Sequence, residues 1–320
     1  MIISDKQELR RCVKQAVRRA QIAECCLRFD PQQGALGVDA LLDESGMRGR
    51  KGTPFGTDGA AFYAAMEALE LPTRDLNSAR TMQESYDRHA YIREILDAMK
   101  ARRVLTAVDV RRSDADFYGD ERLAPLVCVK KEFFAPGRYG IPFEQLAKEL
   151  GESIRVLGAR DVLLDTFDAE ALRYCVLPVC EDMRCVVHVY LTSEEEIGRF
   201  SDLLDASSVR ALVSAPECIE AALLHAAAER PRMLVCLSGL KHLDMALSLL
   251  GARFVPYSSR ASAPEMMLGR WLCAKEALWQ ALCDAYLPLA RAGYALESAS
   301  VEQDVQMLLS GNIMNLYETY

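Results

Sequence analysis

No stretch of about 18 consecutive apolar residues occurs in this 320-residue chain, so the sequence offers no membrane span and predicts no membrane partner. The opening MIISDKQELRR lacks the apolar core of a secretory leader, which predicts a cytoplasmic protein. Positive charge is in short supply: 38 Lys and Arg against 46 Asp and Glu give a net −8, the wrong sign for a general nucleic-acid binder. Basic residues do gather at Lys6, Arg10, Arg11, Lys14, Arg18 and Arg19. A solvated helix face is the simpler reading of that cluster, and a binding arm is the other. The phosphate-cradling patterns G-x-G-x-x-G and G-x-x-x-x-G-K are absent, as is the G-x-S-x-G turn that presents a serine nucleophile. Histidine is scarce, at four residues. Cysteine is not, but eleven is an odd number, zinc-knuckle spacing is missing, and Cys128, Cys185, Cys236 and Cys273 lie inside apolar runs. Reduced, buried thiols fit that pattern better than a disulfide framework.

What the chain does contain is a repeat. Apolar, β-branched runs occur at 22–29, 103–110, 124–130, 159–166, 184–190, 209–215, 232–238 and 252–258. Each is nearly continuous, as parallel strands covered on both faces require. Between the later runs lie helical segments opened by capping signals, such as Thr192-Ser193 ahead of three glutamates, or Pro216 at a first helical position. Eight strands alternating with helices predict an α/β fold, a (β/α)8 TIM barrel forming one domain over 1–320. An N-terminal helix over residues 4–20 precedes it, an insertion with helices over 31–100 follows strand 1, and extra C-terminal helices close the chain, the first ending at Gly293. The Gly-, Asp- and Arg-rich ESGMRGRKGTPFGTDG marks the insertion as a loop at the barrel mouth.

The segment LGARFVPYSSRASAPEMMLGRW resembles the strand-8 block of the uronate (glucuronate) isomerase family, barrel proteins of the amidohydrolase superfamily. In that block a Phe-x-Pro strand leads to Ser-Asp-Ala-Arg and a Lys-Trp or Arg-Trp helix. ALRYCVLPVCEDMRCVVHVY resembles the family's strand-4-to-5 unit, and GTDGAAFYAAMEALELPTRDL its helical segment after strand 1. The resemblance implies a divalent metal such as zinc, aldose–ketose isomerisation of uronates, and assembly into a homo-oligomer. The departures fall where that chemistry would sit. The family's strand-1 Asp-x-His-x-His falls on Glu24, Cys26 and Arg28; its strand-8 Asp falls on Arg260 and the following Arg on Ser262. Its Tyr-His-Tyr stretch falls on Asp43-Glu44-Ser45. A guanidinium stays protonated and has no lone pair to give, so Cys26, Arg28 and Arg260 read as a degenerate metal centre with no cofactor. The alternative is one divalent metal in a working isomerase.

Strand ends are where this fold collects function, and there the sequence sets Arg28, Arg111, Lys130, Tyr190, Lys241, His242, Tyr257 and Arg260 as candidate ligand contacts. Two readings stand for this excess of cations: a pocket for a small anion such as a uronate or sugar phosphate, or rim residues in surface ion pairs. His188, on strand 5, reads either as a satisfied interior histidine or as a general base; Asp165 is the other candidate base. If isomerisation survives, Arg28 or Arg260 would polarise the substrate oxygen. A purely structural subunit of an oligomer is the third possibility.

Overall fold

The computed structural model describes residues 3, 5–29, 36–46, 57–73, 75–84, 87–112, 119–134 and 140–318. The chain opens on α1 (Lys6–Arg19) and β1 (Ile22–Leu27), followed by α2 (Val38–Glu44), α3 (Thr57–Ala68), α4 (Leu76–Glu84) and α5 (Arg88–Met99). Next come β2 (Ala101–Asp109), β3 (Leu123–Val129), α6 (Lys131–Phe134), α7 (Phe143–Leu157) and β4 (Asp161–Leu164). The run α8 (Ala169–Ala171), a π-turn and α9 (Leu177–Met183) leads to β5 (Val186–Tyr190), α10 (Glu194–Asp205) and β6 (Arg210–Ser214). Then follow α11 (Glu220–Ala228), β7 (Met233–Val235) and α12 (Leu243–Leu250). Three helices finish the chain: α13 (Pro264–Arg291), α14 (Ser298–Gln306) and α15 (Asn312–Glu318). The seven strands lie in chain order, and β1–β2 and each successive pair from β3 to β7 run parallel.

The eighth run, 252–258, makes one parallel bridge, Cys236 to Val255. Val255 donates to Val235 O and accepts from Leu237 N, and this single bridge is all of the eighth run that pairs with β7 among the described residues. Local signals explain several helix starts. Asp5 accepts from the amides of Gln7 and Glu8, and Leu9, Val13, Ala16 and Val17 form the buried stripe of α1. Ser193 caps α10 through the Glu196 amide. Pro216 instead has an extended ψ of 149° and stands just before a 3₁₀ turn, one place earlier than the sequence suggested. Gly293, at φ 80°, follows the end of α13 in the left-handed conformation.

Contacts divide the chain into two compact units. The first holds Met1–Thr106, Asp116–Leu123 and Ser258–Gly311. Its centre is the 28-residue α13, which packs on α3, α1 and α5 and buries Trp271 almost completely. Part of the basic face of α1 is used here: Arg18 reaches Glu276 at 2.9 Å and the Lys14 ammonium lies 4.5 Å from the Trp279 ring centre. Lys100 and Lys275 donate to Arg18 O and Ala20 O, placing two cations at the C-terminal end of α1.

The second unit holds Ala107–Ala115, Ala124–Tyr257 and Asn312–Tyr320. In it α15 lies across the N-terminal ends of the strands. Asn312 donates to Ala252 O and Phe254 O, Arg210 donates to Asn315 O, and Tyr317 donates to Asp161 at 2.7 Å.

Candidate functional site

In the first unit the tip of β1 is organised by one carboxylate. Glu24 has no exposure, and each of its oxygens accepts twice. Oε1 takes the Cys26 amide at 3.0 Å and the Ser258 hydroxyl; Oε2 takes the Ser259 amide at 2.9 Å and the Trp271 indole N–H at 2.6 Å. The register with β2 shifts between Glu24 and Leu27, where the Cys26 amide serves this side chain. Just beyond, the Arg28 amide donates to Ala261 O at 2.7 Å, which ties the tip of β1 to the segment that carries Arg260. Arg28 is exposed, whereas Arg260 is half-buried with its Nη2 atom out of reach of solvent. Arg260 also has φ 48°, a left-handed conformation that costs a residue with a Cβ about 1–2 kcal/mol. Glu70, Lys100 and Arg184 share this conformation, so at Arg260 it shows that the surroundings fix the backbone. Arg28 is thus tied through its backbone to the neighbour of Arg260, while Cys26 gives its amide to Glu24.

A second carboxylate works on the same segment. Glu44, at the end of α2, accepts the amides of Ser262 (3.0 Å) and Ala263 (2.6 Å) and the Arg270 guanidinium (2.8 Å). Arg270 reaches on to Ser259 O and to Asp58. These amides precede α13, so Glu44 answers the positive end of that helix.

In the second unit the predicted residues sit in small groups. Lys130 pairs with Asp109 at 3.3 Å, and this bond, helped by the nearby Asp165, raises the lysine above its usual range. Asp109 also accepts the Arg111 amide, and Asp165 is exposed at the end of β4. Lys241 pairs with Glu217 at 2.6 Å, while the His242 ring meets Glu217 O at 3.2 Å. Tyr190 and Tyr257 are half-buried at the ends of β5 and the eighth run. His188 is not drawn to this end. Its Nε2 lies 2.9 Å from Asp161, the first residue of β4, which also accepts from Tyr317. A carboxylate only accepts, so this bond puts the proton on Nε2. His89 and His225 are exposed on helices.

No protein-family profile matches the chain, and no curated protein matches it in sequence. Among solved structures, a uronate isomerase from Bacillus halodurans C-125 superimposes with a TM-score of 0.82, covering 98% of this chain and 97% of that one at 16% identity. The fold is that of a uronate isomerase. At this identity the uronate isomerase likeness speaks to architecture alone, and the site rests on the residues just described. Among the described residues no helix is long and apolar enough to cross a membrane. All eleven cysteines are free, and burial pushes Cys175 and Cys185 up to about 12, the range of inert thiols.

Sequence reasoning did not find the hub role of Glu24, nor Trp271, Glu44 or Glu265. A signal existed for the first, since a lone carboxylate inside the apolar run IAECCLRF needs buried donors. Glu265 lies in the first turn of α13 with no exposure, and it accepts the Gly37 amide that starts α2. Burial, reinforced by the charge of Glu44, pushes its carboxyl up to about 7, against the pull of donors that include Gly37 and Tyr91. The folded state therefore keeps this proton to higher pH than the unfolded chain does. Stability should fall as pH rises from about 4.5 to about 7, by roughly 3 kcal/mol from this group. Urea midpoints across that range check it: Glu265→Gln should flatten the slope, and an unchanged slope would contradict the assignment.

Proposed function

We propose that this chain binds a small anionic molecule, a sugar acid or sugar phosphate, through Arg28 and Arg260, and that it works without a catalytic metal. One observation carries the reading. The backbone bond from Arg28 to Ala261 holds the end of β1 beside the loop that carries Arg260, and Arg260 keeps a left-handed backbone with part of its guanidinium buried. Planar guanidinium forks match carboxylate and phosphate oxygens in pairs, and a partly desolvated fork binds more strongly than one in water.

The donor set does not fit a divalent cation. Guanidinium groups offer no lone pair, and the four acceptor positions of Glu24 already face four donors, so of these residues the Cys26 thiol is the one candidate ligand, too few for a site. Among the described residues no three His, Cys, Asp or Glu side chains converge as metal ligands. Within the second unit, Arg111, Lys130, Tyr190, Lys241, His242 and Tyr257 are proposed as anion contacts of that unit by itself. The same reading takes the chain as one (β/α)8 barrel domain over 1–320 with 252–258 as its eighth strand, cytoplasmic in keeping with its free thiols, and homo-oligomeric.

A second reading, an aldose–ketose isomerase acting on uronates, is favoured by the fold likeness. There Asp165 is the better base, because His188 is engaged by Asp161. Calorimetric titration with galacturonate, glucuronate and inorganic phosphate in the presence of a chelator is expected to give saturable heat. Stoichiometric zinc together with turnover of either uronate would overturn the metal-free reading in favour of the second.

A further inference from the structure

We propose that Glu24 and Glu44 are positioning residues that clasp the segment 258–263 from both sides and so set the conformation of Arg260; this rests on the anion-binding reading above. The two carboxylates divide the segment between them. Before Arg260, the Ser258 hydroxyl and Ser259 amide go to Glu24. After it, the Ser262 and Ala263 amides go to Glu44. Ala261, between the two clasps, accepts from Arg28 N and donates to the Ser259 hydroxyl at 3.3 Å. Arg270 closes the arrangement by donating to both Glu44 and Ser259 O. Arg260 is the residue left between fixed points on either side, and its left-handed backbone is what that fixing imposes. Glu44 is paired with Arg270 and lies at the N-terminal end of α13, whose positive end favours a carboxylate. Arg260 can thus be held in a conformation it would leave if either carboxylate let go.

The test uses the full chain. Glu44→Gln replaces one acceptor oxygen by an NH₂ group that must face an amide N–H or Arg270, which opens that side of the clasp. Two things are expected: hydrogen exchange at the Ser262 and Ala263 amides rises at least about tenfold, and affinity for galacturonate and inorganic phosphate falls about tenfold, as loss of a charge-assisted contact implies. In an Arg260→Ala background the same Glu44→Gln change should leave affinity unaltered, because the effect passes through Arg260. Unchanged exchange overturns the clasp. Faster exchange with unchanged affinity, or an equal loss of affinity in the Arg260→Ala background, overturns the positioning role. Failure of the unaltered protein to bind either anion would remove the anion-site reading and Arg260's role with it, while the exchange measurement still decides the clasp. Arg270→Lys, which keeps the charge but gives up the bridging fork, serves in the same way should Glu44→Gln not fold.

Discussion

Replacing Glu24 by alanine is expected to cost about 4 kcal/mol of stability or more, the largest loss from any single polar side chain in the first unit. The carboxylate answers two backbone amides, a hydroxyl and the Trp271 indole in a place without solvent. Each buried donor left unpaired costs about 1–3 kcal/mol, and only the Ser258 hydroxyl can turn to another partner easily. Glutamine at this position should do little better, since its NH₂ group must face donors. Urea unfolding measures the loss, and the fluorescence of Trp271 should change with it because its N–H partner is gone. A loss under about 1 kcal/mol would mean that the four hydrogen bonds do not organise the strand tip.

Gly269→Ala should destabilise the protein by about 3 kcal/mol, although alanine is the better helix former by about 1 kcal/mol. Gly269 lies in α13 where that helix crosses α3. A Cβ built there would stand 2.0 Å from Ala61 O and 2.7 Å from its carbonyl carbon. Those are backbone atoms, which cannot turn aside as a flexible side chain would. The sign of the effect is therefore the test. Chemical denaturation of the variant should give a lower midpoint, and a higher one would show that α3 and α13 are not held as close as 2.0 Å implies.

The strand pattern was legible because parallel strands bury both faces, and continuous apolar runs such as RCVVHVY have no other common home. Seven of the eight runs form strands within a few residues of where periodicity sets them, and the eighth makes a single bridge. Of the cysteines set in apolar runs, Cys128, Cys185 and Cys236 are buried as expected, and Cys273 is only half-buried. The site was harder to read. Sequence put Cys26, Arg28 and Arg260 together only through the resemblance, since residues more than 230 positions apart leave no local trace of contact. For the same reason neither Glu24 with Ser258, Ser259 and Trp271, nor Glu44 with Ser262, could be seen in advance: each carboxylate and its donors come from opposite ends of the chain. His188 illustrates a different limit. Its place on β5 was clear from the run, but which way its ring turned depended on Asp161 and on Tyr317 from the last helix. Part of the Gly- and Arg-rich insertion, residues 47–56, lies outside the described residues.

The account stands or falls on Arg28 and Arg260 acting as anion ligands where the resemblance would have a metal centre. Titration of galacturonate and inorganic phosphate into metal-stripped protein, beside Arg260→Ser and Arg28→Ser, addresses that directly. The account predicts saturable binding that survives the chelator and weakens about ten- to a hundredfold in each variant. Binding that disappears with the chelator and returns on adding zinc, with the arginine variants behaving like the parent, would contradict it.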